Sequence, residues 1–196
     1  MVCFSPLRLL PLLASAILLC GCANNGSAAA DPPATAPDTT IKAVAVVKPG
    51  GAASTQPTNN NVTGTVTFTQ TGSAVTFVAD IDGLEPNTMH GFHIHDKGDL
   101  SDPKLAGAGG HFNPTHEMHG GPGMPHHHMG DLGNLTADAN GHAHLEGSVP
   151  GVTLTVGDFG IIGRSVIIHA KEDDLHSQPA GESGPRVAGG VITLSP

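Results

Sequence analysis

VTGTVTFTQTGSAVTFVADI, residues 62–81, is the stretch whose reading decides the fold. Val62, Val66 and Phe68 fall on one face of an extended chain, and Thr63, Thr65, Thr67 and Thr69 fall on the other. That is the period of two expected of a half-buried strand. Val75, Phe77, Ala79 and Ile81 repeat it, and Gln70-Thr71-Gly72-Ser73 between the runs reads as a hairpin turn.

Outward from this hairpin, short strand-like runs recur at Ile41 to Val47, His90 to His95, His142 to Val149, Val166 to His169 and Val187 to Leu194. With 27 Gly, 16 Pro and no Trp or Tyr, the chain leans towards strands and turns. Several short strands without a convincing helix imply an all-β antiparallel sandwich or barrel. Two long segments interrupt the strands, Asp96 to Asp131 and Ala170 to Pro185, both rich in Gly, Pro, His and acids. Long loops in compact domains usually carry function, and each of these follows a strand that ends in histidine.

The N-terminus reads differently. Arg8 precedes an apolar run from Leu9 to Leu19, too short to span a bilayer and suited to an export signal. Leu19-Cys20-Gly21-Cys22 resembles the bacterial lipobox, which implies a signal at 1–21 and lipidation of Cys22; the plainer alternative is a secretory signal cut at a small-residue site. Residues 22–40, small and proline-rich, read as a flexible tether, and 41–196 as one domain. The expected location is therefore the bacterial cell envelope, lipid-anchored and facing the periplasm. Cys3, Cys20 and Cys22 are the only cysteines, so the domain has no internal disulfide. The formal charge is −9, and removing residues 1–21, whose only charged side chain is Arg8, leaves −10. Nucleic-acid binding, which wants a basic face, is excluded as a function class.

His93 and His95 lie two apart and share a strand face, with Phe92 and Ile94 turned the other way. The first long loop adds His111, His116, His119, His126, His127, His128 and Asp131, and a later strand ends at His169. Neutral imidazole suits copper and zinc, and the absence of cysteine and of dense carboxylate disfavours iron–sulfur clusters and calcium. So many candidate ligands exceed one site and fit two. His90 reads as a structural, hydrogen-bonding histidine, and His142 and His144 as a solvated face.

Gly91-Phe92-His93-Ile94-His95, Gly109-Gly110-His111-Phe112-Asn113-Pro114, His119-Gly120-Gly121, His128-Met129-Gly130-Asp131-Leu132-Gly133-Asn134, residues 161–169 and Gly184-Pro185-Arg186-Val187-Ala188-Gly189-Gly190 together resemble copper/zinc superoxide dismutases, in order and nearly in spacing. The resemblance covers about residues 40–196. It implies an eight-stranded Greek-key β-barrel or sandwich, immunoglobulin-like, with two long functional loops. It further implies copper on His93, His95, His111 and His169, and zinc on His111, His119, His128 and Asp131. Asp173 would link copper and zinc ligands from behind, Arg186 would anchor superoxide beside the copper, and His111 would bridge the metals and carry a proton. The alternative is a non-catalytic copper/zinc-binding protein on the same fold; a copper-only dismutase is disfavoured because His119, His128 and Asp131 are all present. Most relatives tie the loop before His111 to the last strand by a disulfide, yet here Lys104 to Gly110 and Val187 to Gly190 hold no cysteine. That loop also contributes to the family's dimer contact, and a homodimer is the expected assembly. From Glu172 to Ser183 the second loop carries four acids and no Lys or Arg, which argues against strong steering of an anion.

Overall fold

In the computed structural model, residues 40–50 and 61–196 are described. The export signal expected at 1–21, Cys22 and the tether lie outside them, apart from Thr40, which already belongs to the first strand.

The strands are β1 (Thr40–Pro49), β2 (Thr63–Thr71), β3 (Ala74–Asp82), β4 (Met89–His95), β5 (Asp131–Thr136), β6 (Ala143–Ser148), β7 (Ser165–His169) and β8 (Arg186–Leu194). All pair antiparallel, in the order β5-β4-β7-β8-β1-β2-β3-β6, and the two edges β5 and β6 lie against each other, so the sheet nearly closes into a barrel. β1, β2 and β3 form a meander. The chain then crosses to β4, and from β6 back to β7, which are the crossings of a Greek key. Among the described residues there is no α-helix, only a 3₁₀ turn at Ala106–Ala108.

The hairpin of residues 62–81 forms as its alternation dictates. Val66, Phe68, Ala79 and Ile81 are fully buried, and Val62, Val75 and Phe77 nearly so. Phe68 pairs with Phe77 across the hairpin, their rings 6.3 Å apart, and Phe77 meets the edge of Phe92 at 6.0 Å. Truncating Phe68 to Ala would cost about 3–5 kcal/mol, the usual price of a buried aromatic. The turn is tighter than expected: β2 continues to Thr71, and Gly72, at φ 60, reverses the chain.

β5 is the strand that periodicity does not announce. Its sequence, DLGNLT, contains Asp, Gly and Asn, which strands disfavour. It forms because tertiary pairing with β4 overrides local preference, burying Leu132 and Leu135 and placing Asp131 directly opposite His93. A register shift between Gly91 and His93 interrupts this ladder, and another interrupts β7–β8 between Ile168 and His169. Such bulges re-aim side chains, and both fall beside histidines of the expected site. β4 is buried on both faces: Phe92 and Ile94 enter the barrel core, while His93 and His95 lie under the long loops.

Candidate metal centre

The first long loop is stitched back onto the end of β4. Phe112 N–H donates to the Ile94 carbonyl (2.8 Å), Gly130 N–H to the Phe112 carbonyl (2.9 Å) and Ile94 N–H to the Gly130 carbonyl (2.8 Å). His111 thereby becomes a bridge partner of His95. A Cβ on residue 130 would lie 2.2 Å from the Ile94 carbonyl oxygen, so only glycine permits this approach. Arg164 fastens the same junction, donating to the Asp96 carboxylate and carbonyl (both 2.6 Å) with its guanidinium 3.9 Å from the Phe112 ring centre.

His93, His95, His111 and His169 form one buried group, and His111, His119, His128 and Asp131 form a second, with the potential ligand atoms of each group within 4.8 Å of one another. His111 belongs to both. The rings of His93 and His111 stack 3.9 Å apart.

Hydrogen bonds fix the tautomers of the first group. A carbonyl only accepts, so Nδ1 of His95, 3.0 Å from the Gly109 oxygen, and Nδ1 of His169, 3.1 Å from the Gly184 oxygen, carry the protons. Their Nε2 atoms are left as lone pairs facing each other across 3.3 Å. Nε2 of His93 donates to Asp173 (2.7 Å), which leaves its Nδ1 a lone pair, buried and without a partner. Nδ1 of His111 lies 2.7 Å from Asp131, and its Nε2 is likewise buried and partnerless. Four converging imidazole lone pairs are a poor arrangement for empty protein and a good one for a copper ion. Burial keeps all four rings neutral: it depresses the pKa of His93, takes His95 and His169 well below the ordinary histidine value, and lowers His111 to about 4. Neighbouring histidines and Arg186 push the same way on His95 and His169.

The second group is organised around Asp131. Its Oδ1 meets Nδ1 of His111 (2.7 Å) and of His128 (3.2 Å); its Oδ2 lies 3.1 Å from Nδ1 of His119 and accepts the His128 backbone N–H (2.8 Å). His119 reaches Asp173 with its other nitrogen (2.9 Å), so Asp173 joins the two groups through His93 and His119. Burial opposes charge on His119, yet the two carboxylates outweigh it and raise its pKa to about 9. Asp131 and Asp173 sit well below the ordinary carboxylate range, because hydrogen bonds from these histidines outweigh their burial. Three nitrogens and one carboxylate suit tetrahedral zinc.

Arg186, half-buried at the start of β8, donates to the carbonyls of Leu105 and Gly109. The Gly109 oxygen also receives His95, so one carbonyl aligns both side chains. The remaining histidines take other partners. His90 donates to the His169 carbonyl (2.8 Å), and His142 and His144 pair with Asp82 and Asp80 on the outer face of the β3–β6 ladder. His126 pairs with exposed Glu117, His127 donates to the His128 carbonyl, and neither these nor His116 joins a ligand group. Three supports are assigned no role by sequence alone, although Asn134 lies within the His128–Asn134 motif. Asn134 exchanges hydrogen bonds with the Asp173 backbone (2.8 and 2.9 Å), Gln178 does the same with the His119 backbone (2.8 and 2.9 Å), and Gly181 packs against Asp173.

Residues 62–192 match the family described as copper/zinc superoxide dismutase (SODC). The chain is 42% identical over 165 residues to the superoxide dismutase [Cu-Zn] of Yarrowia lipolytica, covering 79% of this chain and 99% of that protein. It is 41% identical over 146 residues to the extracellular superoxide dismutase [Cu-Zn] of Brugia pahangi, covering 70% and 72% of the two chains. The extracellular enzyme of Drosophila melanogaster is 43% identical over 147 residues, covering 71% and 80%. A nearly closed Greek-key barrel, two buried histidine groups that share one ring, and this extended similarity agree: the chain belongs to the copper/zinc superoxide dismutase family.

Proposed function

We propose that copper is held by His93, His95, His111 and His169, and zinc by His111, His119, His128 and Asp131, in a centre that dismutates superoxide. The carrying observation is the set of four imidazole lone pairs, three of them fixed by an acceptor on the ring's other nitrogen and the fourth on the ring shared with the Asp131 group. When bound, copper supplies the one-electron redox couple and zinc the fixed charge that holds the His111 ring. Each turnover takes in two superoxide anions, releases one as dioxygen, and releases the other, with two protons, as hydrogen peroxide.

The residues divide the remaining work. His111 can hold a proton at Nε2, which is buried and where no protein group competes for it. Asp173 holds His93 and His119 in fixed orientations through their outer nitrogens. Arg186 spends two of its five donors on carbonyls and keeps the others for the anion, whose charge it balances. Steering depends on the local field at such a cleft, so a net negative domain can still take up an anion.

A non-catalytic metal store on the same fold is the weaker reading, because storage needs no guanidinium fixed beside His95 and His169. Export with a lipid on Cys22, a bacterial envelope location and a homodimer complete the proposal. The support for these is the signal-like N-terminus, the lipobox resemblance and, for the dimer, the family's loop contact. Purified full-length protein should contain copper and zinc in equal amounts and remove superoxide; tight metal binding without dismutation would favour the store.

A further inference from the structure

Gln178 stands at the tip of the second long loop, and its side-chain amide takes both hydrogen bonds that the His119 backbone offers. The His119 N–H donates to Oε1 (2.8 Å), and Nε2 donates to the His119 carbonyl (2.9 Å). Among the described residues no other group hydrogen-bonds this backbone unit. The amide thus occupies the place a neighbouring strand would take.

The tip that carries Gln178 is braced. The Asp174 carboxylate accepts the backbone N–H groups of His176 (2.9 Å) and Ser177 (2.8 Å), Asp174 N–H reaches the Gly181 carbonyl (2.9 Å), and Gly181 N–H reaches that of Ser177 (2.7 Å). Nε2 of Gln178 also donates to the His176 carbonyl (3.1 Å), which holds the amide to its own loop. His119 lies outside every strand, next to Met118, whose side chain is largely exposed; its neighbours are held by Asn113 on the Glu117 backbone (2.8 and 3.0 Å) and by Asp131 on the Gly120 N–H (3.2 Å), which leaves the His119 backbone itself to Gln178. Most other group members have firmer seats, since His93 and His95 lie on β4, His169 on β7 and Asp131 on β5, and His111 is bridged to His95; His128, also outside the strands, has its N–H held by Asp131 (2.8 Å).

We propose that Gln178 is a positioning residue that sets how firmly zinc is retained: it fixes the His119 backbone so that the ring stays between Asp131 and Asp173. The inference rests on the zinc assignment above and adds the side chain that governs retention. Its effect is selective, because the copper group draws on β4, β7 and the clipped His111 and does not include His119.

The test uses the full chain with Gln178→Met, which keeps the bulk and removes the amide, and Gln178→Glu, which keeps an acceptor for the His119 N–H and loses the donor. Zinc release to a chromophoric chelator, copper release to a copper chelator, and the visible bands of cobalt(II) placed in the zinc site are measured. Gln178→Met should lose zinc on the order of tenfold faster, as loss of an outer partner usually does, and should shift the cobalt bands. Gln178→Glu should fall between it and the parent, with copper release unchanged throughout. Parent-like zinc release and cobalt bands in Gln178→Met would overturn the proposal, and so would equal acceleration of copper and zinc release. His119→Ala is the control for the underlying assignment: parent-like zinc retention there would overturn the zinc site itself, whatever Gln178 does.

Discussion

His95 and His169 face each other nitrogen to nitrogen across 3.3 Å, each with its other nitrogen turned to a backbone carbonyl. Two lone pairs held this close repel unless a cation lies with them, so the backbone has fixed a coordination geometry before any metal arrives.

His169→Ala should therefore abolish dismutation and cost more copper affinity than the roughly 10–100-fold typical of losing an outer partner. Zinc should stay bound, because His169 is absent from the Asp131 group. Metal analysis beside a superoxide assay decides it, and full activity in this variant would remove the copper assignment.

Arg186→Ala should slow the reaction with superoxide by about 10- to 100-fold, the lower part of the roughly 10- to 1,000-fold range of local electrostatic attraction. Arg186→Lys should recover part of this, since it restores the charge but not the fork that spans the Leu105 and Gly109 carbonyls. Pulse radiolysis gives the rate directly, and a rate independent of residue 186 would count against an anion anchor.

No cysteine lies beyond Cys22, and the loop that holds Arg186 is fastened by apolar packing: Leu105, Ala108 and Ile167 are buried together, with Leu100 against them. The melting temperature and activity should not respond to a non-chelating thiol reductant, and a drop of several degrees would contradict this. Leu105→Ala should cost about 2–5 kcal/mol, as for other buried leucines, and should loosen Arg186 with it.

The metal-free protein should be most stable near neutral pH. His93, His95, His111 and His169 have pKa values depressed below the usual 6.5, so the unfolded chain binds more protons as pH falls through that value, and stability declines. His119 works in the opposite sense. Its pKa is raised to about 9, so its contribution is complete below about 6.5 and is lost as pH rises through 9. Thermal melts should show a steep fall towards pH 5 and a shallower one towards pH 9; a flat profile on the acid side would show that these rings are not neutral in the folded state.

Gly181→Ala should disrupt both metal groups. A Cβ there would lie 1.8 Å from Oδ1 of Asp173 and 2.7 Å from Nε2 of His119, at a φ of 65. The cost should exceed the roughly 1–2 kcal/mol of left-handed strain alone, and zinc content of the purified variant is the measurement. Normal zinc retention would mean that the loop can shift without releasing Asp173.

The sequence by itself determined the strands that alternate, because a period of two leaves one physical solution, a sheet with one face buried. It also determined the ligand candidates, because motifs such as His93-Ile94-His95 and His128-Met129-Gly130-Asp131 are local in the chain. Tertiary structure decided what local signals could not carry. β5 exists because β4 pairs with it, in spite of Asp131, Gly133 and Asn134. His128 and not His127 joins Asp131, because the His127 ring turns to a backbone carbonyl. The tautomer of each copper-group imidazole is set by residues brought from elsewhere in the chain: Gly109, Gly184, Asp131 and Asp173. A hydrogen bond between residues 80 apart leaves no periodic trace, so these acceptors, like the clasp of Gln178 on His119, are visible only once the chain has folded.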